Sequence, residues 1–556
     1  MPRARSKSPM AKEIIVNPIL PGFNPDPSIC RVGRDFYIAT STFEWYPGVQ
    51  IHHSTDLRNW RLVARPLNRP ELLNMLGNPD SCGVWAPCLT WSDGLFYLIY
   101  ADVKRFDGNF KDTHNYLTTC ATVDGEWSDP VYLNSSGFDA SLFHCDDDTK
   151  WVLNMIWDHR APRRFFRGIA LQEYSSDEQR LLGERKIVFE GTELACTEGP
   201  HLYHYNGYFY LITAEGGTGY GHAVTMARSP SIDGPYEVDP SGPVVTSRDN
   251  PEWPLQRAGH GDIVQTDTGE LFLVHLVSRP LPGTSISPLG RESAIEKLEY
   301  TSEGWFRLAD GHTLPQLEWS APELPVADVA TEIEHDDFDG DALESVYQWL
   351  RTPWPEEFMS LTERPGHLRL YGMESPGSLF RQALIARRQT SFVFTATTVL
   401  DFEPDNFQQL AGLILYYNAS KFHYLYVSTD STIGRHIGVM SCEADLSLDV
   451  VYPIEDQRVL LPASGSVYLK ADVDGETLRF SWGMSDADWQ TIPVVLDASK
   501  LSDEAGNGSG ASFTGTFIGV CCNDLTGARK HADFDFLRYT PAEASTEAVA
   551  DSPAVG

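Results

Sequence analysis

Three acids, Asp26, Asp139 and Glu198, each stand at the head of a stretch that reads as paired short β-strands. Asp26-Pro27-Ser28-Ile29 leads to the apolar run 36–40, Asp139-Ala140-Ser141-Leu142 to 151–155, and Glu198-Gly199-Pro200-His201 to 208–214. Two further stretches share the layout with other head groups: Trp85-Ala86-Pro87-Cys88 before 95–100, and His260-Gly261-Asp262-Ile263 before 271–275. Carboxylates gathered in an aromatic-lined pocket suit cleavage of a glycosidic bond, in which one acid protonates the leaving oxygen and a carboxylate activates water or attacks carbon. Competing chemistries lack their residues: there is no Gly-x-Ser-x-Gly elbow, no phosphate-binding Gly-rich loop and no His-Glu-x-x-His zinc pattern. Taken singly, each head residue has a structural reading, Asp26 as a turn cap, Trp85 as core, His260 as a satisfied histidine. Their recurrence at one phase of a repeat argues for a site.

Measured at Asp26, Ala86, Asp139, Glu198 and His260, the repeat advances by 60, 53, 59 and 62 residues. Five such units predict a five-bladed β-propeller, because a four-stranded blade buries its faces only against neighbouring blades. The period exceeds the ~40–50 residues of common propeller repeats, so the blades carry longer loops. Equivalent positions lie on a ring about the propeller axis, and the five head residues are expected at one mouth of the channel although more than two hundred residues separate the first from the last.

The elements that must hold this ring fit the rest of the chain. At 556 residues it exceeds one ordinary core, and its 42% hydrophobic content is that of a globular protein. No apolar run approaches the ~18 residues of a spanning helix. A net charge of −34 weighs against nucleic acid and anionic membranes as partners and is indifferent to a neutral sugar. Nine scattered cysteines, with Cys521 and Cys522 adjacent, form no disulfide framework or metal spacing. The start of the chain is basic and lacks the apolar core of a secretory signal, so a reducing, cytoplasmic location is expected. The predicted fold is all-β: a disordered tail over 1–13, the propeller over 14–320, a linker rich in Pro, Ala, Val and Glu over 321–334, a β-sandwich of jelly-roll or concanavalin-like kind over 335–540, and a disordered end over 541–556. The sandwich follows from alternation such as Val467-Tyr-Leu-Lys-Ala-Asp-Val473, with one face buried and one solvated.

Several longer motifs narrow the expectation. Asn17-Pro-Ile-Leu-Pro-Gly-Phe-Asn-Pro-Asp-Pro-Ser28, Ser41-Thr-Phe-Glu-Trp-Tyr-Pro-Gly-Val49, Val84-Trp-Ala-Pro87, Gly137-Phe-Asp-Ala-Ser-Leu142, Thr197-Glu-Gly-Pro-His201, Gly259-His-Gly-Asp262, Leu289-Gly-Arg-Glu292 and Cys522-Asn-Asp-Leu-Thr-Gly527 occur in this order. Together they resemble the β-xylosidases of glycoside hydrolase family 43, from Asn17 to Tyr539. The resemblance implies an inverting, exo-acting β-1,4-xylosidase that releases xylose from the non-reducing end of xylooligosaccharides. The alternative is an α-L-arabinofuranosidase, or both activities in one pocket. It implies that Asp26 is the general base, Glu198 the general acid, and Asp139 the third acid that orients Glu198 and keeps it protonated. It further implies that Arg291 contacts the glycone and that Phe43, Trp85 and Ala86 form the pocket's apolar wall. No cofactor is required. His260 matches the histidine at the propeller centre that helps to hold a calcium ion in some relatives, which makes it the candidate metal ligand. In the sandwich, Phe513 matches an aromatic side chain on a loop that reaches the active site in the family, and the glycines of 506–510 would free that loop; the other reading makes Phe513 the start of a core strand. A homo-oligomer is compatible with all of this. One departure is Ala140, where many members of the family have proline after the third acid.

Overall fold

The computed structural model describes residues 13–160, 163–326, 333–447, 452–505 and 512–542. The tail over 1–12, residues 327–332 of the predicted linker, the glycines of 506–510 and the C-terminal residues from 543 lie outside them. The chain separates into two compact units: Met1–Pro280 with Arg291–Thr331, and Leu281–Gly290 with Glu332–Gly556. Leu281–Gly290, assigned above to the propeller, clusters with the second unit. There the Ser287 N–H donates to Glu504 Oε2 at 3.1 Å and Pro288 O accepts from Thr516 N at 2.9 Å.

The first unit is a five-bladed propeller. Its blades begin with Ser28–Val32, Gly83–Ser92, Ser141–His144, Glu198–Tyr205 and Gln256–Gln265, and each pairs antiparallel with the next strand outward, Asp35–Thr40, Leu95–Arg105, Lys150–Trp157, Tyr208–Glu215 and Leu271–Ser278. Two more strands complete each blade, and blade four adds Val245–Thr246 beside its third. Successive first strands are neighbours, and the first strand of blade five touches that of blade one, which closes the ring. Apolar residues pack between blades as the repeat requires. Cys88 and Ile99 of blade two meet Leu142 and Val152 of blade three, while Val264 and Phe272 of blade five meet Ile29 and Phe36 of blade one.

The seam of the ring is held by polar groups. Ile14–Val16 pairs with Glu318–Ser320, and Leu20 bridges Ser293 in the third strand of blade five. Asn17 reads three backbone groups there: Nδ2 donates to Ile295 O and Gln316 O, both at 2.8 Å, and Oδ1 accepts from Ile295 N at 2.9 Å.

The second unit is a sandwich of two antiparallel sheets. One runs in the order Met359–Ser360, Leu368–Tyr371, His531–Pro541, Val393–Asp401, Val467–Asp474, Thr477–Gly483, Gln490–Asp497. The other runs Val459–Leu460, Gly434–Glu443, Lys421–Asp430, Gln409–Asn418, Phe517–Asp524, Ala383–Arg388, Tyr347–Leu350. Val467–Asp474 alternates buried and part-exposed residues as its sequence predicts, and its inward Val467, Leu469, Ala471 and Val473 join Leu413, Leu425 and Val520 of the facing sheet in one core. No helix of the described residues is long and apolar enough to cross a membrane. All nine cysteines are free thiols.

Because Asn17 satisfies buried backbone groups of the seam, its truncation leaves them orphaned. Asn17→Ala is expected to lower the stability of the propeller by about 1–3 kcal/mol, read as a shifted denaturation midpoint at unchanged m-value.

Candidate active site

The ring of head residues is built by one backbone device. Asp26, Ala86, Asp139, Gly199 and His260 all adopt left-handed φ, of 54°, 30°, 54°, 56° and 49°, just ahead of the first strand in blades one and three and within its first half in blades two, four and five. An L-residue in this region costs about 1–2 kcal/mol, less for Asp, and such cost concentrates where a side chain must be aimed. In blades one, three and five the left-handed residue itself carries the functional group. In blades two and four it is Ala86 and Gly199, so Trp85 and Glu198 present their side chains from one residue earlier; the phase placed at Glu198 is thereby corrected by one residue. The first strands of blades two, four and five carry a register irregularity at this point. Gly199 has a second reason to be glycine, because a Cβ there would lie 3.0 Å from Cε1 and Nδ1 of His260.

The three carboxylates are buried, Asp26 5%, Asp139 8% and Glu198 6% exposed. Their surroundings differ in a way that decides their protonation. Asp26 Oδ1 accepts from Arg291 Nη1 at 2.8 Å, and Asp26 Oδ2 accepts from Ser41 Oγ at 2.7 Å. Ser41 Oγ in turn accepts from the Ala86 N–H at 2.7 Å. Burial works to raise the Asp26 pKa, but the charge of Arg291, His260, the Ser41 hydrogen bond and His222 together bring it below the ordinary carboxylate value. Glu198 goes the other way: burial, then the charges of Asp139 and Asp26, hold its carboxyl well above the usual range, against Arg291 and Lys111. Asp139 is also raised, by burial and by Asp26. The Gly199 N–H donates to Asp139 Oδ2 at 3.1 Å, which favours the charge on Asp139 and leaves the shared proton to Glu198.

An aromatic wall adjoins these groups. Phe43 and Trp85 have ring centroids 5.8 Å apart, and Trp85 meets Phe138 edge-on at 5.4 Å. Phe43 is fixed beside Trp85 by two 3.0 Å backbone hydrogen bonds with Val84, and the Arg291 guanidinium lies 5.3 Å from its ring centre. Trp85 Nε1 donates to Ser81 O at 3.0 Å, and Ala86 is buried next to it. All the head residues and Arg291 thus belong to one site in the first unit. Phe513 lies in the second unit. It is half-buried and stands ahead of the strand Phe517–Asp524, so it neither begins that strand nor fills the sandwich core.

Sequence reasoning missed Ser41, Lys111 and His222. Ser41 follows the strand-like run 36–40, and its N–H donates to Pro25 O at 3.1 Å, which brings it under Asp26. Lys111 Nζ sits 4.3 Å from the centre of the Trp157 ring, and burial lowers its pKa. It comes from a loop with no local signal. The calcium expectation at His260 finds little support in the donor set. Calcium takes six to eight oxygens, whereas His260 offers nitrogen and shares its pocket with the Arg291 cation and the His222 imidazole. Among the described residues no cluster of three or more His, Cys, Asp or Glu is placed to hold a metal ion.

Adjacent carboxylates whose proton affinities are pushed in opposite directions are the equipment of acid-base hydrolysis, and on this propeller, with an aromatic wall, they define a glycoside hydrolase. Residues 15–306 match the family model for glycosyl hydrolases family 43, and residues 335–540 match that of the β-xylosidase C-terminal concanavalin A-like domain. The chain belongs to family 43. It is 50% identical over 534 residues to a β-xylosidase of Bacillus subtilis strain 168, covering 94% of this chain and 99% of the other. It is 51% identical over 532 residues to xylosidase/arabinosidase 43B of Humicola insolens, covering 95% and 98%. The crystal structure of xylan β-1,4-xylosidase from Bacillus halodurans C-125 superposes with a TM-score of 0.90 at 50% identity, covering 95% of this chain and all of that one.

The raised pKa of Glu198 has a cost in stability. A carboxyl with a higher pKa folded than unfolded binds more protons in the native state, so stability falls as pH rises from about 4.5 toward the folded value. Glu198→Gln removes this loss. The variant should be more stable than the parent at pH 8, by about 1.4 kcal/mol for each unit of the shift, and the gap should close at pH 4, as followed by denaturant unfolding.

Proposed function

We propose that this protein is an inverting, exo-acting β-1,4-xylosidase that removes xylose from the non-reducing end of xylooligosaccharides. The observation that carries the reading is the opposed electrostatics of Asp26 and Glu198. Asp26, ionised beside Arg291 and Ser41, takes a proton from water as the water oxygen attacks the anomeric carbon. Glu198, kept protonated by burial and by Asp139, gives its proton to the departing oxygen as the C–O bond breaks and its electron pair leaves with the second sugar. Asp26 then holds the proton that Glu198 has lost, and exchange with solvent resets the pair. Arg291, besides pairing with Asp26, is the donor offered to glycone hydroxyls; Phe43, Trp85 and Ala86 cover the sugar's apolar face. Burial of all three acids favours a substrate that enters end-on.

The names of the relatives support a pentoside substrate, and that of the Humicola insolens relative supports a second reading, in which the same pocket also takes α-L-arabinofuranosides. Nine free thiols support work in a reducing compartment.

Hydrolysis of xylobiose followed by proton NMR tests the main reading: the first product should be α-xylose, which then mutarotates. Release of β-xylose would replace inversion by retention, and no hydrolysis would remove the substrate. A second experiment assigns the acid. Glu198→Ala should lose about 10²–10⁴-fold on xylobiose yet retain most activity on aryl xylosides whose phenols leave without protonation, whereas Asp26→Ala should suffer on both. Equal losses of the Glu198 variant on both substrates would move the acid elsewhere.

A further inference from the structure

His222 has no part in the acid-base scheme, yet the fold holds its side chain at the same mouth of the channel. Glu198 pairs with Ala214, so the second strand of blade four, Tyr208–Glu215, returns to the end where Glu198 sits. The loop that follows, Gly-Gly-Thr-Gly-Tyr-Gly from Gly216 to Gly221, therefore lies at that end, and His222 is its last residue before the strand Ala223–Ser229. Its backbone is tied on both sides: the N–H donates to Gly219 O at 3.1 Å and the carbonyl accepts from Thr246 Oγ1 at 2.7 Å.

The ring is set against the opening of blade five. A Cβ on Gly259 would stand 1.9 Å from His222 Cδ2 and 2.4 Å from Nε2, so the imidazole occupies the space that glycine leaves beside His260. It is 1% exposed, and neither Nδ1 nor Nε2 has a hydrogen-bond partner among the described residues; the Gly217 backbone comes near without hydrogen-bond geometry. A buried polar side chain left unpaired is costly, and a site retains such a group where a ligand supplies the partner. Burial, then the positive fields of His260 and Arg291, bring the His222 pKa down to about 3. The ring is neutral at working pH, with one N–H donor and one acceptor nitrogen. That pairing suits a sugar hydroxyl, which both donates and accepts, and does not suit a carboxylate. An imidazole so hard to protonate is also a poor base, and Asp26 already holds that role.

We propose that His222 is a glycone-positioning residue that hydrogen-bonds one ring hydroxyl of the pentose held over Asp26 and Glu198. The inference rests on reading the pocket as a pentoside site. It makes His222 a specificity element, since a site built around a hydroxyl rejects the analogue that lacks it.

The test uses the full chain and whichever 4-nitrophenyl pentoside, β-xyloside or α-L-arabinofuranoside, the parent hydrolyses, together with its monodeoxy analogues. His222→Phe keeps a ring over Gly259 and removes both nitrogens. Its kcat/KM on the parent glycoside should fall about 10–100-fold with little change in Tm. For one deoxy analogue alone, the discrimination shown by the parent enzyme should collapse toward unity. His222→Gln, which keeps a donor and an acceptor, should restore part of the loss, and it carries the same comparison if the Phe variant does not fold. Unchanged ratios for every deoxy analogue, whatever the loss of rate, overturn the proposal while leaving the pentosidase reading intact. A parent inactive on both glycosides overturns both.

Discussion

Three carboxylates and one guanidinium cannot share a buried pocket fully ionised, and most of what the propeller does at its channel mouth follows from that constraint. Arg291 pairs directly with Asp26 at 2.8 Å, so its strongest compensation goes to that acid. Asp139 and Glu198 are left to repel each other and Asp26 in a medium where burial already penalises charge. The cheapest resolution is to keep a proton, and the Gly199 N–H on Asp139 decides where it sits. An acid and a base thus coexist at neutral pH without a titratable group of suitable intrinsic pKa.

Such an arrangement demands a rigid frame, since side chains free to move would separate and recover ordinary values. The frame is the set of left-handed residues at the blade openings. Each turns the chain sharply into a first strand whose outer side is held by a full ladder, so the strain is opposed by a blade's worth of backbone hydrogen bonds. Asp tolerates this conformation better than most residues, which suits Asp26 and Asp139 to carry their own turns. Glu lacks that tolerance, and in blade four the turn passes to Gly199 while Glu198 stands beside it. The extra methylene of glutamate and the one-residue offset go together.

Much of this was legible in the chain because it is local. Strand-like runs behind turn residues, repeated five times, announced the blades, and the in-phase acids announced the pocket before any contact was known. Alternation in Val467–Asp474 announced the sandwich for the same reason. What stayed hidden depends on where separate loops meet. Ser41 follows a strand in the next motif along, and only the turn over Asp26 reveals their meeting. Lys111 and His222 reach the site from loops of blades two and four, where no periodicity marks a residue's direction. A cue for His222 did exist in the run of glycines before it, which closes a hairpin tightly at the functional end. That Leu281–Gly290 clusters with the second unit was not legible, because an excursion inside blade five looks, in sequence, like any long propeller loop. Ala140 in place of proline leaves Asp139 at φ 54°, the same value as Asp26, which does precede a proline; the ladder, more than the following residue, sets the turn.

The same fold shows what a buried glutamate looks like when function asks nothing of it. Glu296, in the third strand of blade five, is wholly buried, as Glu198 nearly is, and burial raises its pKa too. Its oxygens, however, are saturated: Oε1 faces His275 Nε2 at 3.1 Å and the Asn17 amide at 3.4 Å, and Oε2 accepts from Trp319 Nε1 at 2.7 Å and Gln316 N at 3.1 Å. Since His275 Nδ1 meets the Leu276 carbonyl, that nitrogen must carry hydrogen, and the pair with Glu296 then shares one further proton and is neutral overall. The donors come from Asn17 near the start of the propeller, from His275 in blade five and from the stretch 316–319 near its end, so the carboxylate joins the two ends of the propeller. At Glu198 the neighbours are acids, and the field that raises its pKa comes from other carboxylates that a bound substrate and a leaving oxygen can relieve. One glutamate spends its lone pairs on closing the ring, and the other is left in want of a partner until the glycosidic oxygen arrives.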